Sequence, residues 1–143
     1  MVSYEKDFYS WTQEQADLLR NGQFNNLDIP NLIEEIETMG RSEKRELESR
    51  LTILLLHLLK WKYQEVRRGR SWQLSIDEQR IQFEETLNEN PGLIKPALDE
   101  IIKKAYRLAV IKAARETKIS KAVFPECCPW NLAQFIEDGF YPD

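Results

Sequence analysis

The chain has 143 residues, of which 42% are apolar and 31% charged, a balance that fits one globular domain with a real core and excludes a disordered chain. Its formal net charge is −4, so no overall basic field draws it to nucleic acid or to an anionic membrane. Five Gly and six Pro are too few for an all-β chain of tight turns. The longest apolar run, Leu51–Trp61, falls short of the roughly 20 residues a bilayer span needs.

In chain order, the start from Met1 to Asp7 shows no apolar targeting segment. Tyr4, Phe8 and Trp11 recur at helical spacing and suggest a short turn. Thr12 then stands as an N-cap for a first helix, with Leu18 and Leu19 as anchors and Asn21-Gly22 as its end. Asp28-Ile29-Pro30 predicts a helix start, with an acidic cap followed by Pro in the first turn. Leu32, Ile33, Ile36 and Met39 share one face of that helix. Gly40 reads as a stop or a tolerated kink.

Ser42 is expected to restart the helix, which runs to about Val66. Leu47, Leu51, Leu54, Leu58 and Trp61 form one stripe on it at 100° per residue, and Leu55, Leu56 and Leu59 widen that stripe almost all the way round. A helix so apolar is central in its bundle or buried in an interface between copies, so self-association is expected. Arg67-Arg68-Gly69-Arg70 breaks the pattern. Ser71 or Ser75 starts the next helix, whose apolar contacts are Leu74, Ile76, Ile81, Phe83 and Leu87, and Asn90-Pro91-Gly92 ends it. Pro96 opens a further long helix to about Lys118, in which Ala105, Ala109 and Ala113 permit close approach of a neighbour. An extended tail, Phe124–Trp130, leads to a short last helix with Leu132, Phe135 and Ile136 facing in. The expected fold is therefore all-α: a single-domain helical bundle over residues 1–143, with a long central helix and a short C-terminal helix. Cys127 and Cys128 are adjacent and unsuited to bridging each other, which points to a reducing cytoplasm.

Three features carry chemistry. The first is a polar shoulder on the central helix: Glu43, Glu46, Arg50, His57, Lys60 and Gln64. His57 is the sole histidine and sits among leucines, so it needs a partner. Arg50 and His57 stand two helical turns apart and project the same way. This spacing resembles the loosest form of the motif in the helical HEPN ribonucleases, where a His acts on a ribose hydroxyl and an Arg stabilises phosphate charge. The polar residue that usually follows the Arg is replaced here by Leu51. The favoured reading is that His57 is a satisfied core or interface histidine.

The second feature is Glu34, Glu35 and Glu37 on the preceding helix. Glu35 lies at the edge of the apolar face, and a Glu35–His57 hydrogen bond, with Glu34 as second candidate, would orient the ring. A Glu/His metal site is the weaker alternative, because no Glu-x-x-His pair occurs; no metal and no cofactor are expected. The third feature is Cys127-Cys128, better read as packed thiols than as nucleophile or zinc ligands, since no CxxC is present. Arg67-Arg68-Gly69-Arg70 beside Trp61, Tyr63 and Trp72 has the composition of an RNA contact, but four positions are few and a solvated helix–helix loop is the favoured reading.

Several strings, taken together, resemble a known family: Asp7-Phe8-Tyr9-Ser10-Trp11, Leu27–Glu37, Met39–Leu47, His57-Leu58-Leu59-Lys60-Trp61, Ser71-Trp72 and Phe124–Pro129. They resemble, in the same order and over nearly the whole chain, the bacterial domain-of-unknown-function twenty-nine family. The resemblance implies an all-helical single domain and brings no established activity. Glu34, Glu35, Gly40, Arg50, His57, Lys60, Trp61 and Trp72 belong to its pattern. Cys127 departs from the family string, where the second cysteine is the expected one. Two functional classes follow: a binding or assembly module, with Glu34, Glu35, His57, Lys60, Trp61 and Trp72 as candidate binding residues, or a small nuclease using Arg50 and His57.

Overall fold

A computed structural model describes residues 2–143. The described residues form five α-helices and four short 3-10 turns, with no strand among them. The helices are α1 (Phe8–Arg20), α2 (Ile29–Tyr63), α3 (Arg70–Glu89), α4 (Leu98–Thr117) and α5 (Leu132–Ile136). The all-α expectation, with a long central helix and a short last one, holds. The chain divides into two compact units, one ending at Arg41 and the other Ser42–Asp143.

In the first unit, α1 starts earlier than expected. Asp7, not Thr12, is its N-cap, and its carboxylate accepts the Ser10 N–H at 3.1 Å. The Thr12 hydroxyl instead donates to the Tyr9 carbonyl, the back-bonding typical of a helix interior. Trp11 and Gln15 are the buried residues of α1, whereas Leu19 is exposed. Tyr4 and Phe8 pack edge-on and stacked against Trp11. The start of α2 is as expected. The Asp28 carboxylate accepts from Asn31 Nδ2 at 2.8 Å and from the Trp11 indole at 2.9 Å, and these bonds hold it below the usual carboxylate range. Ile33, Ile36 and Met39 are exposed rather than core.

Gly40 does not end the helix, and Ser42 is not a cap: α2 runs unbroken for 35 residues. An interior Gly costs about 1 kcal/mol, which a helix of this length absorbs.

In the second unit, Leu47, Leu51, Leu54, Leu55, Leu58 and Leu59 are fully buried. They pack with Ile76, Phe83 and Leu87 of α3, with Ile101, Ala105, Tyr106, Ala109 and Ala113 of α4, and with Phe124, Trp130 and Phe135 of the C-terminal segment. The apolar breadth of α2 between Leu47 and Trp61 is thus matched inside its own unit, so this stretch of the helix has its neighbours without a second copy. Leu74 and Ile81, expected as contacts of α3, are exposed. Helix α3 begins at Arg70 with Gly69 as an N-cap that makes no side-chain bond. Helix α4 ends at Lys118, which adopts the left-handed conformation at φ 61°. The last helix carries a capping box between Asn131 and Gln134.

Candidate functional site

Helices α2 and α3 run antiparallel, as Arg50–Gln82 and Glu43–Asn90 hydrogen bonds show. At the far end of the pair from Asn90, a cavity of about 160 Å³ is lined by His57, Lys60, Ser71, Trp72 and Ser75. The helical repeat explains this set. His57 and Lys60 are i, i+3 on α2, and Ser71 and Ser75 are i, i+4 in the opening turns of α3. Trp72 projects beside them, and the Lys60 ammonium lies 5.2 Å from the centre of its ring. The same ammonium approaches the Glu116 carboxylate of α4 at 3.6 Å; the Lys60 side chain is only 20% exposed.

The His57 ring is half-buried and makes no hydrogen bond to a described residue. Burial first, and the nearby Lys60 charge second, push its pKa below the usual value, while Glu116 acts weakly the other way. Both effects favour the neutral ring, which has one nitrogen to accept a hydrogen bond and the other to donate one.

The expected Glu35–His57 pair does not form. Both residues stand on the one continuous helix α2, whereas the expectation required a break that would fold two helices together. Glu35 instead accepts the hydroxyl of Tyr4, and that bond raises the Tyr4 phenol to about 12. Glu34 pairs with Arg41 across the exposed helix surface at 3.5 Å. The His57 carboxylate neighbour is Glu116, more than fifty residues downstream.

Arg50 lies on the same side of α2 as His57, but does not line the cavity. Its guanidinium donates to Gln82 Oε1 at 2.5 Å and faces Glu46 at 3.8 Å. Trp61 is buried against Tyr141, with ring centres 5.1 Å apart. Arg68 caps the end of α2, donating to the Trp61 carbonyl at 2.7 Å. One cation of the basic loop is thus spent on the fold. Cys127 is exposed, and Cys128 is partly buried with its thiol pushed up by burial. Among the described residues, no group of three or more His, Cys, Asp or Glu is placed to hold a metal ion. No described helix is long and apolar enough to cross a membrane.

The cavity brings together His57, Lys60 and Trp72, three of the candidates the sequence singled out, with Ser71 and Ser75, and Glu116 beside Lys60, which it did not. The i, i+4 serines flanking Trp72 were a usable signal. Nothing in the sequence could have placed Glu116.

A second concavity, of about 640 Å³, runs along α4. Tyr106, Val110, Ile111, Phe124 and Pro125 provide its apolar walls, and Arg107, Lys121 and Glu126 its charged ones. From residue 103 to 121 the chain has seven cations and one acid, Glu116.

These features define an all-α protein with a small polar cavity and a basic, apolar groove. The chain belongs to the family described as Domain of unknown function DUF29, whose model matches residues 3–141. No curated protein and no solved structure matched the chain.

Proposed function

We propose that this protein is a binding and assembly module, and that its assembly surface is the α4 groove. The observation that carries this reading is the groove's make-up: apolar walls with two cations, Arg107 and Lys121, against one acid, Glu126. Such a groove fits an acidic, amphipathic helix. The first unit of a second copy presents that chemistry. Up to Arg41 the chain has eight acids against three cations, and Ile33 and Ile36 are exposed beside Glu34 and Glu37. Two copies that exchange this contact reciprocally close a dimer. An α4-to-α4 contact would instead oppose cation to cation.

The family resemblance supports a bacterial source, and the free Cys127 and Cys128 suit a reducing cytoplasm. The ribonuclease reading with Arg50 and His57 is the weaker one, because Gln82 and Glu46 already engage the Arg50 guanidinium.

Sedimentation at high micromolar concentration tests the assembly reading. A dimer is expected that weakens with salt and is lost in Arg107→Glu and in Ile36→Asp. A monomer at all concentrations, or a dimer indifferent to both substitutions, would refute it.

A further inference from the structure

We propose that the cavity between α2 and α3 is a binding site for a phosphate-type oxyanion, either free phosphate or the head group of a phosphomonoester. Lys60 would supply the charge, and the Ser71 and Ser75 hydroxyls and the His57 ring the hydrogen bonds. This inference is independent of the assembly reading and uses a different surface.

Size comes first. A cavity of about 160 Å³ is close to the roughly 150 Å³ that admits a benzene-sized guest, so it takes a compact head group and little more. Chemistry comes second. Four of its five lining residues are polar, and the hydroxyls of Ser71 and Ser75 make no bond to a described residue. Convergent, uncommitted polar groups around a hollow are what a ligand site presents. The geometry of α3 adds to this: no side chain caps its first turn at Gly69, so the backbone N–H groups around Ser71 stay open to an anion.

Lys60 is already shared between the Trp72 ring and Glu116. The Glu116 contact, at 3.6 Å, is longer than a hydrogen bond, and the Glu116 side chain is 46% exposed. It can swing into solvent when a better-placed anion arrives. Glu116 therefore acts as a competitor for the site.

The charged groups facing His57 are Lys60 from its own helix and Glu116 from α4; α3 contributes only the neutral Ser71, Trp72 and Ser75. An oxyanion in the cavity adds negative charge beside the ring, so the depressed His57 pKa rises on binding and a proton is taken up from solvent.

The sole histidine makes the test unambiguous, because every imidazole resonance belongs to His57. The full-length protein is titrated with inorganic phosphate and, separately, with phenyl phosphate while the ring signals are followed by NMR across pH 5 to 8. Saturable shifts and an upward move of the His57 pKa are expected. Lys60→Met should weaken binding about tenfold or more, and Glu116→Gln, a surface change that leaves the core alone, should tighten it about two- to fivefold. Equal affinity for the two probes indicates free phosphate; tighter binding of phenyl phosphate indicates a monoester whose ring lies on Trp72. No saturable shift of His57 with either probe would overturn the proposal. So would a Glu116→Gln protein that binds no more tightly than the wild type.

Discussion

The Nε of Arg80 donates to the carbonyl oxygen of Phe135 at 2.8 Å, and its Nη2 reaches the carbonyl of Phe140 at 2.7 Å. Arg80 is 1% exposed, so a buried guanidinium of α3 holds the backbone around α5. Asp77, one turn earlier on α3, lies 3.9 Å from Nη1 and accepts the Tyr141 hydroxyl at 2.6 Å. Charge-assisted bonds of this kind contribute about 1.5–3 kcal/mol each. Arg80→Ala is expected to cost about 3 kcal/mol or more by denaturant unfolding, since it also leaves two carbonyls unpaired. Arg80→Lys should recover little, because an ammonium cannot reproduce the planar fork.

The leucine core makes a second expectation concrete. Leu54 and Leu58 are each 0% exposed. Truncating either to Ala should destabilise the second unit by about 2–5 kcal/mol. Chemical denaturation monitored by tryptophan fluorescence reads it directly, and a change below about half a kcal/mol would contradict this packing.

The His57 shift predicts a pH dependence of known sign. Its folded pKa lies below the unfolded value near 6.5, so the unfolded chain binds more protons between the two. The stability that His57 contributes is complete above pH 6.5 and is lost as pH falls toward the folded pKa. His57→Gln should flatten the stability profile between about pH 7.5 and 5.5, measured against the wild type in parallel.

Thiol chemistry should separate the adjacent cysteines. Cys127 is exposed, while Cys128 is partly buried, bonds the Trp130 carbonyl and has its thiol pushed up by burial. A disulfide reagent at pH 8 should label Cys127 first and Cys128 at least about tenfold more slowly. Equal rates in Cys127→Ser and Cys128→Ser proteins would show that the two environments do not differ.

Much of the fold was legible because periodicity and caps agree. Asp28-Ile29-Pro30 announced the start of α2, and Ala105, Ala109 and Ala113 announced the close side of α4; all three alanines are 0% exposed. Gly40 misled because its cost is local and the helix around it is long. The space around it is open, so no close approach demands a glycine there. Thr12 misled because Asp7 offers an equally good cap one turn earlier. Arg80 was illegible for a different reason: a cation normally marks a surface, and its partners lie 55 and 60 residues downstream. The same limit explains the site. His57, Lys60 and Trp72 share local spacing that a helical wheel reveals, whereas Glu116 reaches them only through tertiary packing.

The Asp28 carboxylate binds Asn31 in its own helix and Trp11 in α1, and the Asp28 N–H donates to the buried Gln15 side chain at 2.8 Å. The start of α2 is therefore not set by local sequence alone. Its first turn and α1 lose their anchors together, so they open as one cooperative step rather than by independent fraying. Amide hydrogens of the Trp11 and Leu32 turns should exchange with a common opening free energy, and Asp28→Ala should lower that value for both turns at once.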